Sequence, residues 1–149
     1  MKSEWTLAEL LALNPELDPY SGAVLRCVRP AKGQGRYIKE TVGQRQFAHV
    51  KLEAWPSSVF SLSCRHQWPK EVPLDEADAL DLALLRGVLE GAGRVEHPPW
   101  RSRIACTSVE YVHGATSVVG VSVAASLAVS DLVDTGQWVI DGEPPEELA

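Results

Sequence analysis

Histidine and cysteine are the side chains of this chain that could bind a metal or supply a nucleophile and its base. The sequence contains His49, His66, His97 and His113, together with Cys27, Cys64 and Cys106. Only Cys64 and His66 are close neighbours, whereas a structural zinc site takes four ligands. The three cysteines are far apart within alternating apolar segments, which is typical of free, buried thiols. The sequence therefore predicts no metal ligands and no cofactor.

Motifs for nucleotide hydrolysis and for hydrolytic catalysis are also missing. Gly33-x-Gly35 is not followed by the Lys-Ser/Thr pair of a phosphate-binding loop, and no H-E-x-x-H or G-x-S-x-G segment occurs. Acidic residues cluster at 75–81, where a solvated helix start explains them better than paired catalytic carboxylates. We therefore predict no catalytic residues, and we rank an enzyme behind two non-enzymatic interpretations.

The charge of the chain limits how it could bind nucleic acid. There are 14 Lys and Arg against 20 Asp and Glu, so the formal net charge is −6. Affinity for a phosphate backbone comes mainly from Lys and Arg, and RNA binding would therefore need a local basic patch. Arg36, Lys39, Arg45 and Lys51 supply such a patch within one short stretch.

Length and hydropathy predict a single cytoplasmic domain. A chain of 149 residues with 45% hydrophobic residues has the usual size and composition of one domain. Glu4 and Glu9 interrupt the N-terminal segment where a secretory signal would be apolar. The longest apolar stretch, Val118–Val133, is broken by Ser, Gly and Asp, so we expect no membrane-spanning segment.

The first half of the chain is predicted to form a short helix and several strands. Thr6 and Glu9 make a capping-box pattern, which is typical of a helix start. The predicted elements are a helix at 6–13, a strand at 22–30, a turn at 31–35, two strands within 36–56 that flank a polar break at 40–46, and a hairpin partner for the second of these at 59–64.

The second half is predicted to contain two longer helices. Pro73 and the acids after it favour a helix start, and Gly91 and Gly93 are expected to end that helix. The predicted elements are helices at 73–93 and 116–133, the second capped by Thr116 or Ser117, and strands at 101–112 and 137–140.

This order of elements predicts an α+β fold. We expect a mostly antiparallel four-stranded sheet with two helices packed on one face. The main domain is expected to cover 22–141, with an N-terminal helical extension at 1–21 and an acidic tail at 142–149.

The segment RYIKETVGQRQFAHVKLEAWP, residues 36–56, carries a specific pattern. It has an aromatic-aliphatic-basic start, a polar turn with a glycine, and a return strand with Gln, an aromatic residue and His-Val. The residues of the pattern are Tyr37, Ile38, Lys39, Gly43, Gln46, Phe47, His49, Val50 and Pro56. The segment resembles the first hairpin of domain IV of translation elongation factor G. Val42, Arg45 and Ala48 stand where that family has glycine, and Gln44 stands where it has Arg.

Two further segments agree with the same family domain in the same order. Its two helices are matched by Pro73, Ala79, Leu80, Asp81, Leu84 and Gly91, and by Ala124–Ser126. The resemblance covers residues 23–140. It implies a fold similar to the second domain of ribosomal protein S5, with the left-handed βαβ crossover of that superfamily. In elongation factor G this domain is the arm that enters the decoding region of the small ribosomal subunit, and the GTPase of that factor has no counterpart in this sequence.

The resemblance implies a non-enzymatic, translation-related module that contacts the ribosome or a structured RNA through two tip loops, at 40–49 and 111–117. The residues implied in RNA contact are Lys39, Gly43, Gln44, Arg45, Gln46, His49 and His113, with Arg36 and Lys51 as a supporting basic patch.

A second interpretation keeps the fold but gives it another partner. The diverged domain would then bind a protein or a second copy of itself, for example through the apolar second helix or the sheet. Basic residues that point together into solvent at the tip would favour RNA, whereas neutralisation by Glu40 and other acids would favour a protein partner. Trp55, Trp68 and Trp100 lie beside prolines and are interpreted as aromatic residues that close the core.

Overall fold

The computed structural model describes residues 3–17 and 22–142, which form three helices and seven strands. The elements in chain order are β1 (Glu4–Thr6), α1 (Leu7–Leu13), β2 (Val24–Cys27), β3 (Ala31–Thr41), β4 (Gln44–Pro56), β5 (Ser61–Cys64), α2 (Leu74–Arg94), β6 (Ser102–Glu110), α3 (Val118–Thr135) and β7 (Trp138–Asp141).

Five of the strands form a mixed sheet in the order β1-β5-β6-β4-β3. β5 and β6 run parallel, and the other neighbouring strands run antiparallel. β2 and β7 pair in a separate two-stranded sheet. The α+β class is confirmed, but the prediction of a mostly antiparallel four-stranded sheet with two helices was only partly right. The N-terminal segment adds a strand and a third helix, and the strand predicted at 22–30 pairs outside the main sheet.

β5 does not form the predicted hairpin with β4. It pairs with β6, with Leu62 opposite Ile104 and Cys64 opposite Cys106. The long helix α2 returns the chain to the end of the sheet where β5 began, so β6 can run parallel to it. Hydrophobic alternation shows that a segment is a strand but not which strand it pairs with, and for this reason the predicted pairing was wrong.

Residues 31–35, predicted as a turn, are the first part of β3. Gly33 and Gly35 are buried there because α3 crosses directly over them. A Cβ atom on Gly33 would lie 2.7 Å from the carbonyl oxygen of Ala128, and one on Gly35 would lie 2.6 Å from the nitrogen of Ala128. These glycines therefore serve close packing of two backbones rather than a turn.

Glycine also brings α2 and α3 together. A Cβ atom on Gly91 would lie 2.8 Å from the carbonyl oxygen of Ser126, and Gly87 faces Ser122 in the same way. From the first contact to the second, both helices advance by four residues towards the C-terminus. The two helices therefore run parallel. Gly91 thus lies inside α2, which continues to Arg94, so Gly91 packs against α3 and does not help to end the helix as predicted.

The predicted starts of α1 and α3 are confirmed. Thr6 and Glu9 form the capping box, with the Glu9 nitrogen donating to Thr6 Oγ1 at 3.2 Å and the Thr6 nitrogen donating to Glu9 Oε1 at 3.1 Å. Ser117 Oγ accepts from the nitrogen of Gly120 at 3.0 Å. Leu7 of α1 is fully buried, so the N-terminal segment contributes to the main core. From residue 143 onward, the predicted acidic tail lies outside the described residues.

The apolar composition of α3 has an explanation in packing. By length and hydropathy α3 alone, of the helices in the described residues, could cross a membrane, with a mean hydropathy of 1.5 over 18 residues. In this fold 44% of that window is buried. Helix α3 lies over β3 and β4 on one side and beside α2 on another, and a core helix in such a position is apolar over most of its surface.

Replacing Gly35 with Ala should destabilise the fold by about 3 kcal/mol, because the new methyl group meets the backbone of α3. Gly93→Ala is the matched control. A Cβ atom there meets nothing within 4 Å, and alanine should stabilise the helix by roughly 0.5–1 kcal/mol. Urea unfolding followed by circular dichroism measures both changes. A Gly35→Ala variant as stable as wild type would contradict the close packing of α3 on β3.

Candidate nucleic-acid interface

The structure brings the two predicted tip loops together at one end of the sheet. The hairpin turn at Val42–Gly43 is exposed, and the loop that joins β6 to α3 lies against the return strand of the hairpin. The Phe47 nitrogen donates to the Ala115 carbonyl at 3.1 Å, and Thr116 Oγ1 donates to the Phe47 carbonyl at 3.1 Å. These bonds join the two loops into one surface, which we call the tip.

Charges at the tip are partly neutralised. Arg45 Nε lies 3.6 Å from Glu40 Oε1, and both side chains are more than half exposed. An exposed pair of this kind adds little stability, but it reduces the positive potential that Arg45 presents to a ligand. Lys39, Gln44 and His113 are exposed. The tip by itself is therefore a weak site for anions, and by the criterion set from the sequence this neutralisation favours a protein partner over RNA at the tip.

Two tip residues of the family pattern take different roles. Gly43 has a φ of 81°, in the left-handed region that favours glycine, so the turn itself requires this residue. Gln46 is half-buried and accepts a hydrogen bond from the Tyr37 hydroxyl at 3.4 Å. Its side chain thus contacts the other strand of the hairpin.

His49 lies on the sheet face away from the helices and is covered by its neighbours. Its side chain is 8% exposed, with Nε2 2.8 Å from Gln34 Oε1 and Nδ1 3.6 Å from Glu110 Oε2. Burial first, and then the nearby charges of Arg36 and Lys51, lower the pKa of His49, although Glu110 opposes this. His49 is therefore neutral near pH 7. Its contacts hold the neighbouring side chains in place without adding a positive charge to this face.

The sheet face opposite the helices, which we call the open face, has alternating residues of β4 at its centre. His49, Lys51, Glu53 and Trp55 point to this face, because the residues between them are buried on the helix side. Glu53 lies 3.7 Å from the Lys32 ammonium group. On this face Glu53 of β4 therefore lies beside a lysine, and Glu110 of β6 lies beside the imidazole of His49.

Four basic residues of the open face have no such partner. All four are exposed, and no carboxylate in the described part of the chain lies within ion-pair distance of them. They are Arg36, Lys51, Arg65 and Arg103. Their positive charges can therefore interact with an anionic ligand.

Trp55 orients two of these four residues. The guanidinium carbons of Arg65 and Arg103 lie 5.1 Å and 5.5 Å from the centroid of its ring. Cation–π contacts of this kind hold a guanidinium group in place while leaving N–H groups for another partner. Trp55 therefore does not close the core, contrary to the prediction, whereas Trp100 is 3% exposed and Trp68 packs against the core.

Sequence reasoning missed Arg65 and Arg103 because it paired residues 59–64 with the wrong strand. Arg103 lies opposite Trp55 on neighbouring strands, and Arg65 follows directly after β5. The parallel pairing of β5 with β6 brings both arginines beside the ring. The one signal in the sequence was that Arg103 lies within an alternating segment and Arg65 directly after one, which does not identify the neighbour.

A second polar cluster lies beside α2, where Cys64, His66 and Asp81 line a cleft of about 530 Å³. His66 Nε2 and the Trp68 indole nitrogen lie 2.8 Å and 2.9 Å from the same oxygen of Asp81. Burial, reinforced by Asp81, raises the pKa of Cys64 to about 12, so the thiol is a poor nucleophile. Within the described residues no group of three or more His, Cys, Asp or Glu side chains could hold a metal ion.

Comparison with known proteins finds a similar fold in a solved structure. No family model matches the chain, and no curated protein matches it. The structure is similar to the crystal structure of ttk003000868 from Thermus thermophilus, with a TM-score of 0.64 and 23% sequence identity over 82% of this chain. The chain spans 18% of the length of that protein. A domain of this fold therefore also occurs within a much longer chain.

The environment of His49 predicts a pH dependence of stability. The folded pKa is lowered, so as the pH falls below about 6.5 the unfolded chain takes up a proton before the folded one does. The stabilising contribution is complete above that pH and is lost below it. Replacing His49 with Gln should therefore reduce the fall in Tm between about pH 7 and pH 5.

The control for this measurement is His113→Gln, because the His113 side chain is exposed at the tip. It removes one exposed histidine and shows how much of any change in the profile comes from losing a histidine as such. Identical pH profiles for wild type and His49→Gln would show that the covered environment of His49 does not influence its titration.

Proposed function

We propose that this chain is a non-enzymatic module that binds the ribosome or another structured RNA. The observation that carries the proposal is the open face, where Arg36, Lys51, Arg65 and Arg103 are exposed without a carboxylate partner in a chain of net charge −6. Phosphate groups suit such a surface, because each ammonium or guanidinium group can replace a counterion of the nucleic-acid backbone.

The arrangement of these residues favours an elongated ligand. Arg36 lies opposite His49, near the tip, and Arg103 lies opposite Trp55 further along β4. At the usual rise of a strand the two positions are about 20 Å apart. In the proposed complex several phosphates of one RNA strand follow this line, and Lys39 and the other exposed tip residues contact the RNA at its end.

The family assignment belongs to the same proposal. We infer that the chain is a homologue of domain IV of elongation factor G, with the left-handed crossover of the ribosomal protein S5 superfamily between β5 and β6, and that it acts in translation in the cytoplasm without a cofactor. The parallel β5-α2-β6 unit supports this inference. The two joined tip loops and the left-handed Gly43 in the hairpin turn support it as well.

Co-sedimentation with ribosomes and anisotropy titration of a labelled RNA hairpin, both across a salt series, test the proposal. The chain should pellet with ribosomes at low salt and dissociate as salt rises. The double variant Arg36→Glu/Lys51→Glu should bind more weakly. The slope of log K against log salt concentration should become shallower by roughly 0.7–0.9 for each phosphate that the variant no longer neutralises.

The matched control is the double variant Lys70→Glu/Arg94→Glu, which changes the net charge equally at exposed positions away from the open face. It should keep most of the affinity and the salt slope. Absence of pelleting at low salt would contradict ribosome binding. Equal decreases in affinity for the two double variants would show that overall charge, and not the open face, determines the affinity.

A further inference from the structure

The free edge of the main sheet is capped over only part of its length. β3 is the last strand in the sheet order, so every second residue of it directs its N–H and C=O groups away from β4. Two of these outward residues are covered by side chains of α3. The Gln34 nitrogen donates to Asp131 Oδ2 at 2.8 Å, and Thr135 Oγ1 donates to the Lys32 carbonyl at 3.1 Å.

The other part of the edge has no such cap among the described residues. Because the direction alternates, the backbone groups of Arg36, Ile38 and Glu40 point outward like those of Lys32 and Gln34. The Ile38 side chain is 52% exposed. Unpaired backbone groups beside an exposed apolar side chain form a template for another strand.

A row of α3 side chains spaced four residues apart runs beside this edge. The row consists of Val119, Val123, Leu127, Asp131 and Thr135. Its position is fixed by the two caps, and by Leu127 Cβ, which is 2.9 Å from the site of a Cβ atom on Gly35. Val119 is 61% exposed and Leu127 is 46% exposed. The row is thus apolar where the edge beside it is uncapped.

We propose that two copies of this chain pair through their β3 edges, antiparallel, with Ile38 of each copy on the twofold axis. This pairing places Arg36 of one copy opposite Glu40 of the other, twice in the dimer. Opposite charges directly across a strand pair are stabilising, and an edge whose charge order complements itself suits an isologous interface. The charge order is therefore the reason to assign a second copy as the occupant of the edge.

The same pairing accounts for the exposed row on α3. A twofold axis perpendicular to the sheet keeps the helices of both copies on one side, so Val119 of one α3 faces Leu127 of the other, in the same register as Glu40 and Arg36. It also joins the two open faces into one surface. The dimer is thus compatible with RNA binding through Lys51, Arg65 and Arg103, because Arg36 is then paired with Glu40 of the other copy, and it does not depend on RNA binding.

Sedimentation velocity across a concentration series, with a charge exchange, tests this dimer. Arg36→Glu or Glu40→Arg alone places like charges opposite each other in both pairs, and each should weaken dimerisation by roughly tenfold. The double variant Arg36→Glu/Glu40→Arg restores opposite charges and should return the dissociation constant to near its wild-type value. The readout is molecular mass, so a failure of RNA binding would not affect it.

Two further variants test the backbone pairing and the helix contact. Ile38→Pro removes an outward N–H that the monomer does not use, and an edge strand tolerates proline there, so the monomer should fold and the dimer should not form. Leu127→Glu should weaken the dimer, whereas Leu82→Glu, at a residue of α2 that is 53% exposed, should not. A monomer at every concentration, or a dimer that the single charge variants do not weaken or the double variant does not restore, would overturn the proposal.

Discussion

The close approach of α3 to the backbone of β3 is the contact on which the rest of the structure depends. Gly33 and Gly35 allow the helix to lie directly on the strand, and a glycine pair in α2 allows the second helix to lie beside the first. Where two backbones pack directly on each other, few side chains can change rotamer to accommodate a shift of the helix. The position of α3 is therefore closely determined. With α3 fixed, the loop that precedes it is held against Phe47, and the tip is formed.

The same packing leaves the opposite face of the sheet without a helix over it. Strand β4 alternates small and aliphatic residues under the helices with His49, Lys51 and Trp55 on the open face. Acidic residues also lie elsewhere, for example Asp75 and Glu76 in the first turn of α2. A basic face on an acidic chain orients an anionic polymer, because the other surfaces repel it. The net charge of the chain therefore does not represent the charge of the open face, whereas the distribution of charge over the surface does.

Local features of the fold could be predicted from the sequence, and non-local features could not. The starts of α1 and α3 follow from Thr6 with Glu9 and from Ser117, because a cap involves residues within one turn. The role of Gly33 and Gly35 depends on a helix that begins more than eighty residues later in the chain, so a turn was the local interpretation. The pairing of β5 with β6 depends in the same way on the path of α2.

The residues of the candidate site also divide into those that the local sequence indicates and those that it does not. Arg36 and Lys51 could be identified because they lie in the hairpin that carries the family pattern. Arg65 and Arg103 join them only through the pairing of β5 with β6. The burial of His49 depends on side chains from strands β3 and β6, which no pattern within β4 indicates.

Chemical-shift mapping of the isotope-labelled chain during titration with an RNA hairpin at low salt tests the central claim most directly. If the open face binds RNA, the largest changes will occur at Lys51, at Arg103 and at the indole N–H of Trp55, with little change along α2. Changes confined to α2 and the cleft beside His66, or no changes at all, would contradict the claim.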